Sequence, residues 1–183
     1  QVDVLRGIAA LAVVLFHFTT RFVELYGTGQ TPMVAVRHGY LGVNLFFIIS
    51  GFVIFMTLAR TQRPIDFIVS RFSRLFPSYW VAIVLTFLVT LWLGLPHKTV
   101  GLKDAVANVL MVHGIFGVPH VDGVYWTLEV EILFYAGMFL LYRLCWLRHI
   151  HWVLLGMLGV RLLYTLMARA WGIDLPWIAY RLL

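Results

Sequence analysis

Two ionisable side chains, His17 and Glu131, lie inside long apolar runs of the sequence. A charge within a membrane span costs about 2.5–3.5 kcal/mol on insertion scales, so such residues are rare and mark functional sites by default. A neutral imidazole at His17 can act as a general base toward a hydroxyl group. The structural alternative is a histidine hydrogen-bonded to a neighbouring helix, and spacing alone does not separate the two interpretations.

Arg6 precedes His17 in the same apolar run. On an ideal helix their separation corresponds to about three turns plus 20°, which places both side chains on one face, about 16 Å apart. We therefore expect Arg6 to reach the cytoplasmic surface and His17 to lie deeper, toward the outer half of the span.

Glu131 shares a helix face with Thr127 and Tyr135, which lie one turn before and one turn after it. A buried carboxylate requires a partner, and we expect an arginine or a histidine of another span. Glu129 points about 160° away around the helix, toward water or the outer loop. For either glutamate, a structural ion pair is the alternative to a catalytic role.

Arg71 and Arg74 lie one helical turn apart in the basic stretch of residues 60–77. Apolar residues recur there at helical intervals, which predicts an amphipathic helix lying in the membrane interface, with both arginines on its polar face. The planar guanidinium fork suits phosphate. The two arginines therefore either hold a phosphate-bearing cytoplasmic ligand or only anchor the helix at the membrane surface.

Polar and aromatic residues of two other apolar runs are candidates for binding. Asn44 and Ser50 either hydrogen-bond across packed helices or line a groove for a ligand or an acyl chain. Trp126 fits an aromatic belt at the membrane interface. We take Ser50 as a candidate for donor binding, and Asn44 and Trp126 as candidates for acceptor binding.

A metal site is not expected from the sequence. His97, His113 and His120, with Asp122, match no metal-binding spacing. The single cysteine, Cys145, excludes a cysteine-rich site and a disulfide within the chain.

The composition indicates that lipid is the solvent of most of the chain. Of its 183 residues, 62% are hydrophobic and 12% are charged, against about a quarter charged in soluble domains. The formal net charge of +6 comes from cations between the apolar runs, which membrane topology explains without a nucleic-acid partner. We predict an all-α, polytopic transmembrane helix bundle in a lipid bilayer.

The apolar runs predict five to six spans. We place five at residues 4–22, 40–59, 79–95, 124–144 and 152–167, and a further apolar segment covers residues 177–183. Residues 104–116 could form a short helix that lies in or re-enters the membrane, and Asp122 is the expected N-cap of the fourth span. We interpret residues 1–183 as a single incomplete domain, truncated at both ends.

The orientation is predicted from the positive-inside rule. Four arginines in the stretch of residues 60–77 favour the cytoplasmic side for this connection: Arg60, Arg63, Arg71 and Arg74. The N-terminus, two spans earlier, is then cytoplasmic as well.

Four motifs together resemble the acyltransferase-3 family, integral membrane acyltransferases that act on bacterial surface polysaccharides and other extracytoplasmic acceptors. Residues 2–17 are similar to its opening pattern, LDxLRGxAAxxVxxxH, with Val4 where leucine is common. Residues 42–51 resemble its phenylalanine-rich second helix, and residues 71–77 its paired-arginine motif. Residues 126–135 resemble its tryptophan–glutamate motif, with Thr127 for the usual serine and Glu131 in the place of the family glutamate.

The resemblance implies a donor side at the cytoplasmic face of a bacterial inner membrane. Acyl-CoA would bind there, acetyl being the commonest donor group of the family. Arg71 and Arg74 would hold its phosphates, and the acyl-pantetheine arm would enter between the first two spans, where Ser50 lies. The family domain also has more helices than this chain, so the chain resembles its N-terminal half.

The resemblance also implies roles for the ionisable residues within the spans. His17 would deprotonate a sugar hydroxyl presented from the extracytoplasmic side, or relay the acyl group across. Arg6 would assist at the cytoplasmic end, and Glu131 would orient or pair within the core.

Two other functions remain open at this stage. A proton-coupled transporter could use His17 and Glu131 as a relay. A non-catalytic membrane sensor or scaffold could keep the fold without turnover. Only the enzyme would consume acyl-CoA in a manner that depends on His17.

Overall fold

The computed structural model describes residues 2–27, 35–94 and 100–171, and this part of the chain is helical without strands. It divides into two compact units, an N-terminal unit of Gln1–Thr57 and a C-terminal unit of Leu58–Leu183. The α-helices are α1 (Val2–Phe16), α2 (Phe22–Tyr26), α3 (Leu41–Arg60), α4 (Pro64–Leu93), α5 (Leu102–Asn108), α6 (Trp126–Arg143) and α7 (Ile150–Trp171).

Within the described residues, five helical stretches are long and apolar enough to cross a membrane, which confirms the predicted polytopic helix bundle. They are Val2–Leu25, Leu41–Arg60, Pro64–Leu93, Gly123–Arg143 and Leu147–Ala170. The predicted boundaries of four spans agree with these ranges to within a few residues at each end. The apolar segment of residues 177–183 and the metal-candidate His97 lie outside the described residues.

In the N-terminal unit, α1 closely approaches the first turn of α3 and the turn before it, at two glycines. A Cβ atom on Gly42 would overlap the backbone oxygen of Ala9, and one on Gly39 would overlap that of Ala12. Ala9 itself is 1% exposed. Small residues thus allow the two backbones to pack directly, as is common between membrane helices.

The third predicted span and the stretch before it form a single helix, α4, of 30 residues. The stretch is helical, as predicted, but the prediction that it forms a separate helix is wrong. At 1.5 Å per residue α4 is about 45 Å long, against a hydrocarbon core of about 30 Å, so it can extend beyond the core or tilt. Ile65, Ile68 and Val69 are exposed on it, whereas Phe67 is buried.

An aromatic column flanks Pro77, through which α4 continues. Phe72 and Phe76 stack with ring centroids 4.4 Å apart, and Trp80 contacts both rings edge-on at 5.8 and 5.6 Å. The column spans the turn where proline cannot donate a backbone hydrogen bond. Membrane helices tolerate proline where neighbouring groups compensate for the missing bond.

Residues 100–122 fold back along α4 and form the core of the C-terminal unit. The hydroxyl of Tyr79 donates to the backbone oxygen of Asn108 at 2.8 Å, and the indole of Trp80 donates to that of Val109 at 3.2 Å. Tyr79 precedes the end of α4 at Leu93 by about 21 Å along the axis. The segment therefore reaches the middle of α4, and residues 100–122 are called the re-entrant segment below because they double back along this helix.

Asn108 holds this re-entrant segment together. Its side-chain amide donates to the backbone oxygens of Asp104 at 2.7 Å and Pro119 at 3.0 Å, and its Oδ1 accepts from the backbone N–H of Val121 at 3.0 Å. The residue is fully buried. These bonds satisfy backbone groups that would otherwise be buried without partners.

Asp122 caps the helical stretch that leads into α6, as predicted for the fourth span, whereas α6 itself begins at Trp126 without a side-chain cap. The Oδ1 of Asp122 accepts from the backbone N–H of Val124 at 3.3 Å, at the head of a short 3₁₀ turn that leads into α6. Tyr125 then contacts Thr86 of α4 through its hydroxyl at 3.0 Å, and Phe139 stacks with Phe67. α6 thus runs antiparallel to α4.

Candidate functional site

The carboxylate of Glu131 is buried on the face of α6 that meets α4. Glu131 is 5% exposed and accepts a short hydrogen bond from the hydroxyl of Tyr135, one turn later. Tyr135 is likewise 5% exposed. The sequence correctly placed Glu131 and Tyr135 on one helix face. It predicted an arginine or a histidine as the partner of Glu131, but the hydrogen-bond donor is the phenol of Tyr135.

Arg71 is the cation nearest to this pair in the part of the unit that the structure describes. Its guanidinium carbon lies 5.7 Å from the ring centroid of Tyr135 and 5.5 Å from that of Phe67, in cation–π geometry. The two rings meet edge-to-face. Arg71, Tyr135 and Glu131 therefore form a continuous polar path from α4 into α6.

One donor of Arg71 is available to an additional acceptor. Its Nε is buried and has no hydrogen-bond partner among the described residues. A buried guanidinium N–H without an acceptor is costly. A phosphate or carboxylate oxygen beside Nε would satisfy it, so the residue fits an anionic ligand.

Arg74 does not share the environment of Arg71. Arg74 is exposed, whereas Arg71 follows Phe67 by one turn and faces α6. The prediction that both arginines lie on the polar face is thus wrong for Arg71. Only a ligand that extends from the exposed surface toward α6 would meet both.

The second carboxylate of α6, Glu129, belongs to a separate cluster with two histidines of the re-entrant segment. His120 Nε2 lies 3.6 Å from Glu129 Oε2, and His120 Nδ1 hydrogen-bonds to His113 Nε2 at 2.8 Å. Glu129 and His113 are 3% and 2% exposed. Burial, and secondarily the charge of His120, lowers the pKa of His113 to about 4.

In the N-terminal unit, His17 begins a π-helical turn, His17–Arg21, within the first span. Such turns within α-helices are frequent at functional sites. His17 is exposed on the surface of the helix and contacts the ring of Phe16. It lies about 22 Å along the axis from the start of the helix at Val2.

Arg6 lies on the regular α-helical part of the same span. Its guanidinium carbon is 4.9 Å from the ring centroid of Phe46 on α3. Because α1 is continuous from Arg6 to Phe16, the register that places Arg6 and His17 on one face is retained up to the π-helical turn.

The remaining candidates differ in exposure. Asn44 is exposed and Trp126 is partly buried. Ser50 is 3% exposed, and its hydroxyl has no hydrogen-bond partner among the described residues. The described residues contain no group of three metal-ligating side chains in suitable geometry, and His113 and His120 bond to each other instead.

Sequence reasoning missed the roles of Phe67, Tyr135 and the two histidines of the re-entrant segment. The sequence places Tyr135 on the face of Glu131, and its phenol is the signal of a possible donor. The sequence analysis weighs His113 and His120 only as metal ligands. Glu129, which faces His120, lies on another element, α6, and no spacing rule joins these three residues into one cluster.

Comparison with known proteins gives one family. A family model described as an acyltransferase domain matches residues 1–183. The chain is 27% identical over 140 residues to the protein ORF330 of Acidianus two-tailed virus, and 33% identical over 105 residues to the exopolysaccharide production protein ExoZ of Rhizobium meliloti. It is 27% identical over 184 aligned residues to the peptidoglycan O-acetyltransferase OatA of Listeria monocytogenes.

The chain covers only part of each of these relatives. The alignments include 76%, 54% and 89% of this chain, but 40%, 32% and 27% of ORF330, ExoZ and OatA. No solved structure matches the chain.

Proposed function

The chain belongs to the family of membrane acyltransferase domains, and we propose that it carries the donor-binding and acid–base residues of an O-acyltransferase. In this proposal an acyl group moves from cytoplasmic acyl-CoA to a hydroxyl group of an extracytoplasmic carbohydrate. The N-terminus lies in the cytoplasm, and the membrane is a bacterial inner membrane. Residues 1–183 are then part of a single larger domain.

The position of His17 is the observation that carries the proposal. The imidazole stands far inside a helix long enough to cross a membrane, on an exposed part of its surface, at a π-helical turn. An acyl transfer to a hydroxyl group requires a base at membrane depth, because bulk water does not reach that depth to accept the proton. A neutral imidazole supplies this function.

The chemical step follows from that role. His17 removes the proton of the acceptor hydroxyl, whose oxygen attacks the thioester carbonyl carbon. The new C–O ester bond forms and the C–S bond breaks. The leaving thiolate takes up the proton, so that imidazole and thiol are neutral again at the end of the cycle.

The donor side is assigned to Arg71, Arg74 and Ser50. The buried Nε of Arg71 lacks an acceptor, and Arg74 is exposed one turn further along α4. This pair suits the phosphates of a ligand that arrives from water and extends inward. Ser50, buried with a hydroxyl that has no described partner, is assigned to the acyl-bearing arm.

The acceptor side is assigned to Trp126 and Asn44, and Arg6 is assigned to the cytoplasmic end of the histidine helix. Glu131 has a positioning role, because its carboxylate is bound to Tyr135 within the packed face of α6. The names of two relatives, which refer to exopolysaccharide production and to peptidoglycan O-acetylation, support a carbohydrate acceptor and an acetyl donor.

The proposal is tested with the full-length protein in inverted membrane vesicles, whose cytoplasmic face is open to added substrate. Radiolabelled acetyl-CoA is supplied to wild type, His17→Ala and His38→Ala at matched expression. His38 is an exposed histidine of the same unit and serves as the control. Label should reach lumenal or membrane-bound glycan in wild type and His38→Ala, and fall about 10²–10⁴-fold in His17→Ala.

Equal labelling by His17→Ala would remove this histidine from catalysis. Absence of label in all three, together with solute uptake that depends on His17, would instead establish the transporter. Label that stays on the protein in wild type, can be released by hydroxylamine and is absent from His17→Ala would show that His17 carries the acyl group rather than the proton.

A further inference from the structure

We propose that Glu129, His120 and His113 form a pH-sensitive latch that fixes the re-entrant segment, residues 100–122, against α6. This role is separate from the acyl transfer proposed above and does not depend on it. It assigns a function to His113 and His120 and to the second carboxylate of α6.

The three side chains form one linear path. Glu129 of α6 is followed by His120 at 3.6 Å, and His120 by His113 at 2.8 Å. The two imidazole rings stand edge-to-face with their centroids 4.6 Å apart. The path therefore joins α6 to two points of the re-entrant segment that are seven residues apart.

The backbone confirms that the segment is closely fitted around the carboxylate. Gly114, next to His113, lies so close that a Cβ atom on it would overlap the carboxylate oxygens of Glu129. The carboxylate is thus enclosed by the 3₁₀ turn His113–Phe116 on one side and approached by His120 on another.

The hydrogen-bond pattern determines the protonation state in which the latch is closed. The Nε2–H of His120 is directed at Glu129. Because a neutral imidazole carries one proton, the Nδ1 of His120 is then an acceptor. His113 therefore donates to it through its own Nε2–H. The Nδ1 of a neutral His113 then holds a lone pair, and this atom is buried without a described partner. A proton placed there adds a charge in a buried site.

Among the described residues, the other titratable groups near the latch have contacts of their own. On the α4 side the nearest is Tyr79, whose phenol interacts electrostatically with Glu129, and Tyr125 lies beside Tyr79 at the start of α6. Asp122 interacts with Tyr125. Glu131, two residues along α6, is occupied by the hydroxyl of Tyr135.

The sign of the pH dependence follows. A histidine whose pKa is about 4 in the closed latch and 6.5 when released binds protons preferentially in the released form. The stabilisation of the closed latch is therefore complete above pH 6.5 and is lost as the pH falls toward 4. Between pH 7.5 and 5 the opening equilibrium should rise roughly 30-fold.

The test is hydrogen–deuterium exchange of the purified protein in lipid nanodiscs, with rates corrected for the intrinsic effect of pH. In wild type, peptides of residues 100–122 should lose about 30-fold protection between pH 7.5 and 5. Peptides of α7 provide the internal reference for the folded state. In His113→Gln, whose amide keeps the donor but does not titrate, the change should largely disappear. His149→Gln, at an exposed histidine, should behave as wild type.

A second pair of variants tests the latch itself at pH 7.5. The amide of His120→Gln can accept from His113 and donate to Glu129, so protection of the segment should be retained. His120→Ala breaks both contacts and should lower protection at least 10-fold. Equal protection in the two variants would overturn the proposal. So would a wild-type segment whose protection does not change with pH, or a His113→Gln protein that responds as wild type does.

Discussion

The hydroxyl of Tyr135 donates a hydrogen bond to the carboxylate of Glu131 one turn earlier on α6, and both side chains are buried. The same tyrosine ring receives the guanidinium of Arg71 on its face. One aromatic residue thereby connects a cation of α4 to an anion of α6. The contact keeps opposite charges apart while it stabilises each, which leaves Arg71 able to bind a further anion.

Tyr135→Phe should destabilise the protein by about 1–3 kcal/mol, because it leaves a buried carboxylate without its donor. Thermal unfolding in detergent, followed by tryptophan fluorescence, measures the change. Tyr40→Phe, at an exposed tyrosine, is the control and should leave the unfolding temperature unchanged. An unchanged unfolding temperature in Tyr135→Phe would show that Glu131 does not depend on this hydrogen bond.

Arg71→Ala should weaken binding of CoA roughly 10-fold to 100-fold, because a hydrogen bond to a charged group contributes about 1.5–3 kcal/mol. Arg74→Ala should cost less than about fivefold, because the side chain is exposed and its charge is screened. Calorimetric titration of the detergent-solubilised, full-length protein measures both. Arg148→Ala, at an exposed arginine, is the control, and equal affinity of Arg71→Ala and this control would exclude Arg71 from the donor site.

Gly42→Ala should destabilise the N-terminal unit by about 1–3 kcal/mol, because its methyl group would press on the backbone oxygen of Ala9. Gly137→Ala is the matched variant on α6, where a Cβ atom meets nothing within 4 Å. It should be neutral or stabilise by up to about 1 kcal/mol through helix propensity. Unfolding in increasing denaturant compares the two, and identical midpoints would show that α1 and α3 can separate without cost.

Asn108→Ala should loosen the re-entrant segment, because it removes three hydrogen bonds and exposes buried backbone groups at a cost of about 1–3 kcal/mol each. Limited proteolysis should show new cleavage within residues 100–122 at pH 7.5. Asn44→Ala, at an exposed asparagine, should show no new cleavage. Resistance of Asn108→Ala equal to that of wild type would mean that other contacts hold the segment.

The membrane-spanning helices were predictable because each one depends on the apolar composition of its own segment. About 20 consecutive apolar residues are enough to define a span, and their composition is visible in the sequence. The N-cap at Asp122 was predictable for the same reason, since one side chain bonds to a backbone N–H two residues away. The family was also predictable, because four short motifs resemble it, and the match to the family model confirmed this prediction.

The continuity of α4 was not predictable from the sequence. Locally, a proline indicates the end of a helix, and a stretch rich in arginine indicates a segment at the membrane surface. In the structure α4 is uninterrupted at Pro77, where an aromatic column lies beside it, and Phe67 packs against α6. These contacts join residues one or more turns apart or on another helix, so local signals do not reveal them. For the same reason, Arg71 was predicted on the polar face of a helix, whereas in the structure it contacts the ring of Tyr135.

The sequence alone determined which segments are solvated by lipid and which ionisable residues lie in them, because burial in a bilayer depends on the composition of each segment. Only the tertiary structure decided the partners of those residues. Glu131 bonds to Tyr135, and Glu129 faces His120, although the two glutamates are separated by one residue. The reason is geometric: successive side chains of a helix point to different neighbours, and the identity of each neighbour depends on how distant segments fold back.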